Sequence, residues 1–128
     1  MRLAPPAWIL GRIAVKADTL GEYTLPARAT ILISPYTMHR HPRYWHDPEM
    51  FDPDRFSSEQ PPRFVYMPFG GGPRLCIGQP FALAEATLLL ATIIQRYHLQ
   101  LAPNTRVEME PQITLRVKNG LPMELTRR

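Results

Sequence analysis

At 128 residues, 45% hydrophobic and 20% charged, the chain has the composition of one globular domain or of part of a larger one, not of a disordered tail. Its formal net charge of +4 rests on 15 basic residues, 13 of them arginine, scattered rather than run together. That pattern argues against a nucleic-acid surface and leaves a basic exterior or planar forks for buried carboxylates. One cysteine excludes an internal disulfide, MRLAPPAW lacks the apolar core of a signal peptide, and the run Ala82 to Ile94, broken by Glu85, is too short to cross a membrane. A cytoplasmic protein is the expectation.

In chain order, PPAWILGRIAVKAD reads as a strand after the Pro5-Pro6 break, with Ile9, Leu10, Ile13 and Val15 as its apolar residues. Asp18 to Gly21 is a predicted turn, EYTL a short strand, Pro26 to Ala29 a second turn, and TILIS (Thr30 to Ser34) a buried strand. Together they suggest a small β-meander over 1–34. From Pro35 the periodicity disappears, and eight prolines fall between Pro35 and Pro73. At most one helical turn is expected, around Tyr36 to Arg40. Connections this long are usually functional or disordered, and Trp45, Phe51, Phe56, Phe64, Tyr66 and Phe69 argue against disorder. An ordered coil over 35–68 follows, then a loop over 69–78. Leu83, Ala84, Thr87, Leu88, Ala91 and Ile94 recur at helical spacing, predicting a helix over 77–97. Strands and a hairpin complete 98–128, with Asn119-Gly120 as the hairpin turn. The class is α+β with one convincing helix, and no second wall faces it.

The chemistry concentrates in FGGGPRLCIG, Phe69 to Gly78, where the single cysteine follows a glycine run and an arginine. A thiolate is favoured near a cation and at a helix N-terminus, and both Arg74 and the predicted helix start lie beside Cys76. Glycines let backbone approach a flat, bulky partner closely. A lone cysteine is otherwise a small buried hydrophobe. Zinc or an iron–sulfur cluster needs three or four protein ligands, whereas haem brings four ring nitrogens and needs one thiolate from the protein. Its propionates also offer carboxylates to arginine. His39, His41 and His46 read as structural or solvated, and Glu85 and Arg96 carry no assigned chemistry.

This stretch resembles the haem-binding signature of the cytochrome P-450 family, Phe-x-x-Gly-x-Arg-x-Cys-x-Gly, at Phe69, Gly72, Arg74, Cys76 and Gly78. RLAPPAW is similar to the end of the family's Glu-x-x-Arg helix, with Arg2 as its arginine, and PDRF (Pro53 to Phe56) resembles the Pro-x-Arg-Phe motif. The resemblance covers essentially the whole chain and implies the C-terminal part of a mainly helical fold. It implies Cys76 as proximal ligand to the iron of haem b and Arg74, with Arg12, on the propionates. Phe69 would pack beside the sulfur, and Gly72 and Gly78 are the signature's glycines, Gly78 letting the helix start pass under the porphyrin. Arg55 would join Arg2 and the motif's glutamate in a buried charge network. Ala7, Trp8, Ile9, Ile113 and Thr114 would line a substrate pocket, although Arg12 could be simply exposed and Ile113 and Thr114 plain sheet residues. The implied function is monooxygenation of a small hydrophobic organic substrate, with electrons from a ferredoxin or flavin reductase docking near Arg63 and Arg74. The distal helix and the glutamate would lie upstream, in a missing N-terminal portion of the fold, so no catalytic residue is assigned here. The alternatives are a truncated non-catalytic remnant and a haem-binding protein without monooxygenase activity.

Overall fold

A computed structural model describes residues 1–57 and 61–128, in two units, Met1–Gly70 and Gly71–Arg128. In the first unit, β1 (Leu10–Ile13) pairs antiparallel with β4 (Thr30–Ile33), Leu10 opposite Ile33 and Arg12 opposite Ile31. Between them, β2 (Asp18–Leu20) and β3 (Tyr23–Leu25) pair only with each other. The strands therefore form two ladders rather than one meander. Asp18 to Gly21 is not a turn: strand continues to Leu20, and the Leu20–Tyr23 pair leaves only Gly21 and Glu22 to reverse the chain. Gly21 takes φ +60°, which costs a glycine little.

The described residues of the proline-rich stretch carry the core of this unit. Helix α1 (Pro35–Met38) starts with proline in its first turn, and the Ser34 side chain accepts the Thr37 N–H at 3.3 Å. A 3-10 turn follows at Pro53–Phe56, capped by Asp52, whose carboxylate accepts the Asp54 N–H at 3.0 Å. Residues 58–60 of the expected coil lie outside the described residues. Trp45 and Val65 are buried, and His39, Pro5 and Pro35 are fully enclosed. Trp45 meets Phe56 and Tyr66 edge-on, with centroids 6.0 and 6.1 Å apart, and Phe56 meets Tyr66 at 4.9 Å. Those spacings are the favoured ones for aromatic pairs. Phe51 and Phe64 do not join them and are largely exposed.

In the second unit a 3-10 turn (Gly72–Arg74) leads to α2 (Gln79–Arg96), two residues later than expected. The cause is Pro80, which belongs in a first helical turn and makes Gly78 the N-cap. Tyr97 is already extended, and the chain enters β5 (Tyr97–Leu101) directly. β5 pairs with β8 (Met123–Arg127), and β6 (Met109–Pro111) pairs with β7 (Leu115–Val117). The hairpin of this unit thus turns at 112–114 rather than at Asn119-Gly120. Asn119 and Gly120 do adopt positive φ, 61° and 80°. The strand beyond them runs against β5, because Lys118 N–H is already committed to Glu108 O at 2.8 Å and Ala102 N–H takes Pro122 O at 3.1 Å.

Helix α2 buries little of its surface. Leu88, Leu89 and Leu90 are 67%, 57% and 56% exposed, and these lie on different sides of the helix. A helix apolar all round is one meant to be covered all round. No described helix is long and apolar enough to cross a membrane.

Candidate functional site

The loop before α2 is built on left-handed glycines. Gly70 and Gly72 have φ +74° and +66°, a region closed to most side chains. Leu75 N–H donates to Gly72 O at 3.0 Å, closing the 3-10 turn. Gln79 N–H donates to Cys76 O at 3.2 Å and Ala82 N–H to Gly78 O at 2.9 Å, so Cys76 sits two residues ahead of the N-cap. This corrects the expectation of a helix start at Ile77, directly beside Cys76. The turn at Cys76–Gln79 now separates the thiol from the first helical residue.

The Cys76 thiol is exposed, and a Cβ added at Gly78 would lie 3.8 Å from its sulfur. Glycine therefore keeps one flank of the sulfur bare. Leu75, Ile77 and Phe81, the nearest apolar neighbours in sequence, are 52%, 100% and 73% exposed. Arg74 is exposed and takes part in none of the ion pairs among the described residues. An accessible thiol, bare backbone, exposed apolar side chains and a free cation suit a flat, apolar, anionic ligand that accepts a sulfur donor.

The remaining expected site residues divide between the units. Phe69 is half-buried in the first, with Ala7, Trp8 and Ile9, which run into β1. The Trp8 carbonyl accepts the Ser34 hydroxyl at 3.1 Å. Arg12, also half-buried, donates Nη1 to the carbonyl of its neighbour Gly11 at 2.8 Å. Ile113 and Thr114 are in the second unit, where they form the β6–β7 turn and not a strand; Ile113 is 97% exposed. A short loop of Gln112, Ile113 and Thr114 suffices because Pro111 pairs directly with Leu115.

Arg2 is buried, and its guanidinium donates to the carbonyls of His39 (2.9 Å), Met50 (2.8 Å) and Pro48, with its carbon 5.3 Å from the Trp45 ring centre. Arg55 reaches the same turn, donating to His46 O, Asp47 O and, at 3.5 Å, Met50 O. Its Nε is buried without a partner, and neither arginine meets a carboxylate among the described residues. Burial, then the neighbouring Arg55 and Arg40 charges, lower the Arg2 pKa. Sequence reasoning missed the outer clamp. Arg40 stacks over Tyr36 at 3.8 Å, donates to Glu49 at 2.8 Å and reaches Leu3 O at 2.6 Å. Tyr36 lies one helical turn before Arg40, but Leu3 is 37 positions away and Glu49 sits across a proline-rich turn, and no local pattern signals those two.

His39 is fully enclosed, and burial lowers its pKa from 6.5 to about 4. The folded state thus binds a proton later than the unfolded chain does. Stability is complete above pH 6.5 and falls as the pH drops towards 4, by roughly 3 kcal/mol in all. Urea titrations across that window should show the loss, and His39→Gln should remove this part of the slope.

The stretch thus presents a single accessible thiol on a glycine-built turn ahead of an apolar helix. The chain matches the family model described as Cytochrome P450 over residues 1–125 and belongs to that family. It is 43% identical to cyclooctatin synthase of Streptomyces melanosporofaciens over 118 residues, covering 90% of this chain and 26% of that protein. Among solved structures it is similar to retinoic acid-bound cyanobacterial CYP120A1, with TM-score 0.91 and 30% identity over 99% of this chain and 31% of the other. It is also similar to the cytochrome P450DA heme domain, with TM-score 0.90, 28% identity, and 99% and 29% coverage. The fold is that of the C-terminal part of a P450. The chain spans about a quarter of the length of the curated relatives it matches.

Proposed function

We propose that this chain supplies the thiolate side of a haem monooxygenase site, in which Cys76 would be the protein ligand to the iron of haem b. The observation that carries the reading is the exposed Cys76 sulfur with the bare Gly78 flank beside it. Cys76 would hold the iron through Sγ. Leu75, Ile77 and Phe81 would cover ring carbons, while Arg74 and Arg12 would donate to the propionates and Phe69 would pack beside the sulfur. When bound, haem supplies O2 activation and oxygen insertion into a C–H bond of a small hydrophobic organic substrate, using electrons from a ferredoxin or flavin reductase. Ala7, Trp8, Ile9, Ile113 and Thr114 would face that substrate.

Two features support a larger domain as the working unit. Helix α2 exposes apolar side chains all round, and neither Arg2 nor Arg55 forms an ion pair with a carboxylate among the described residues. Oxygenation would then require the surfaces that cover both.

Haem titration followed by reduction and carbon monoxide tests the reading. A Soret band shifted strongly to the red marks thiolate ligation; no binding, or a band at the position given by imidazole, overturns it. Removing the Arg74 guanidinium deletes a charge-assisted hydrogen bond worth roughly 1.5–3 kcal/mol. Arg74→Ala should therefore weaken haem binding by roughly tenfold or more, read from the same titration, with the band position unchanged.

A further inference from the structure

We propose that His39 is a positioning residue for the haem loop: its Nε2 holds the Met67 amide and thereby fixes the turn that carries Phe69. The inference rests on the haem-thiolate reading above. Met67 N–H donates to His39 Nε2 at 2.9 Å. Met67 O in turn accepts the Gly70 N–H at 3.0 Å, closing a four-residue turn with Gly70 in the left-handed region and Phe69 inside it. Met67 is thus tied on both sides, and the imidazole is the tie on its N-terminal side.

The imidazole is presented from a fixed position. His39 N–H donates to Pro35 O at 2.8 Å, His39 O accepts Arg2 Nη1 at 2.9 Å, and the ring packs 5.1 Å from that of Tyr66. Because Nε2 accepts, the neutral ring carries its proton on Nδ1, which has the Arg2 backbone nearby but no partner in full hydrogen-bond geometry among the described residues. A residue kept only to fill this space would be better as phenylalanine, with no buried N–H to satisfy. The acceptor at Nε2 is what phenylalanine cannot supply.

The hold is sensitive to acid. The charged groups bearing on the ring are cationic, namely the Met1 amino group, Arg2 and Arg40, and the Tyr66 phenol, its own pKa raised by burial, adds no compensating charge. A proton on Nε2 would set donor against donor at Met67 and add a further cation to the cluster.

Three proteins decide the matter: the wild type, His39→Gln and His39→Phe. Glutamine can place its carboxamide oxygen near the Nε2 position and cannot titrate. The readouts are hydrogen exchange at the Met67 amide and haem affinity by titration. Positioning predicts Met67 exchange faster by roughly tenfold or more in His39→Phe, with a comparable loss in haem affinity, and recovery of both in His39→Gln. Wild-type Met67 protection should also fall between pH 6 and 4, after correction for intrinsic exchange, and His39→Gln should not follow it. The opposite order, with phenylalanine matching the wild type and glutamine failing, overturns the proposal in favour of space filling. Wild-type protein with no thiolate spectrum overturns the haem reading separately, and the Met67 order still decides whether His39 holds the turn. A thiolate spectrum with haem affinity unmoved in His39→Phe leaves that reading standing and overturns the positioning role.

Discussion

Cys76→Ala is expected to abolish the red-shifted carbon monoxide band completely while leaving the fold unchanged. Cys76 is exposed, so the truncation opens no cavity, and surface changes of this kind stay within about 0.5 kcal/mol. The turn around it is held by backbone groups: Gln79 N–H on Cys76 O, and Leu75 N–H on Gly72 O. Alanine can make all of these. Far-UV circular dichroism and the urea midpoint should therefore match the wild type, and only the ligand field should change. Retention of the thiolate band would sink the assignment outright, since the chain has no second cysteine. Loss of the band together with loss of helix would point instead to a structural thiol. Gly78→Ala makes a milder companion, because the added methyl would stand 3.8 Å from the sulfur, in ordinary contact, without blocking it.

How much of this was legible in the residues depends on the range of the interactions involved. The signature positions Phe69, Gly72, Arg74, Cys76 and Gly78 lie within one short stretch, and the demands on them are local: an accessible thiol, a bare flank and a nearby cation. Helix α2 was legible from periodicity to within two residues, the error being Pro80, which belongs in the first turn rather than in its middle. Strand partners were not legible. Asn119-Gly120 has the dihedral preference of a hairpin turn and adopts it, yet the strands on either side belong to different ladders, β7 with β6 and β8 with β5. Pairing of that kind is set by the longer β5–β8 register, from Tyr97–Arg127 to Leu101–Met123, which no turn residue encodes. The core of the first unit was equally hidden. Its ties join Arg2 to residues 37 to 48 positions away, through carbonyls that carry no sequence signature. Histidines looked alike in sequence and differ entirely in place: His39 is enclosed, whereas the His46 side chain is 93% exposed.

Trp45→Ala should produce the largest loss of stability. Trp45 is 3% exposed in a stretch without regular secondary structure, so side-chain packing rather than a ladder holds that chain in place. Its removal takes away a large apolar surface and leaves a cavity among Phe56 and Tyr66, a change that costs about 3–5 kcal/mol. The indole N–H also donates to Met38 O at 3.0 Å, and the Arg2 guanidinium lies over the ring at 5.3 Å. Arg2 would lose a favourable face while remaining surrounded by protein, which adds about 1 kcal/mol or more. A unit of this length has a total stability of roughly 4–10 kcal/mol, so the substitution removes a large share of it. Trp45→Phe keeps most of the ring and loses the N–H bond, and should cost about 1–2 kcal/mol. Urea unfolding followed by far-UV circular dichroism reads both, provided the slope with denaturant is unchanged. Leu89→Ala on α2 is the informative contrast. Leu89 is 57% exposed, so its truncation in this chain should change the midpoint by less than about 0.5 kcal/mol. A Leu89→Ala loss as large as that of Trp45→Ala would mean that α2 is covered by another copy of the chain in solution, and the midpoint would then depend on protein concentration.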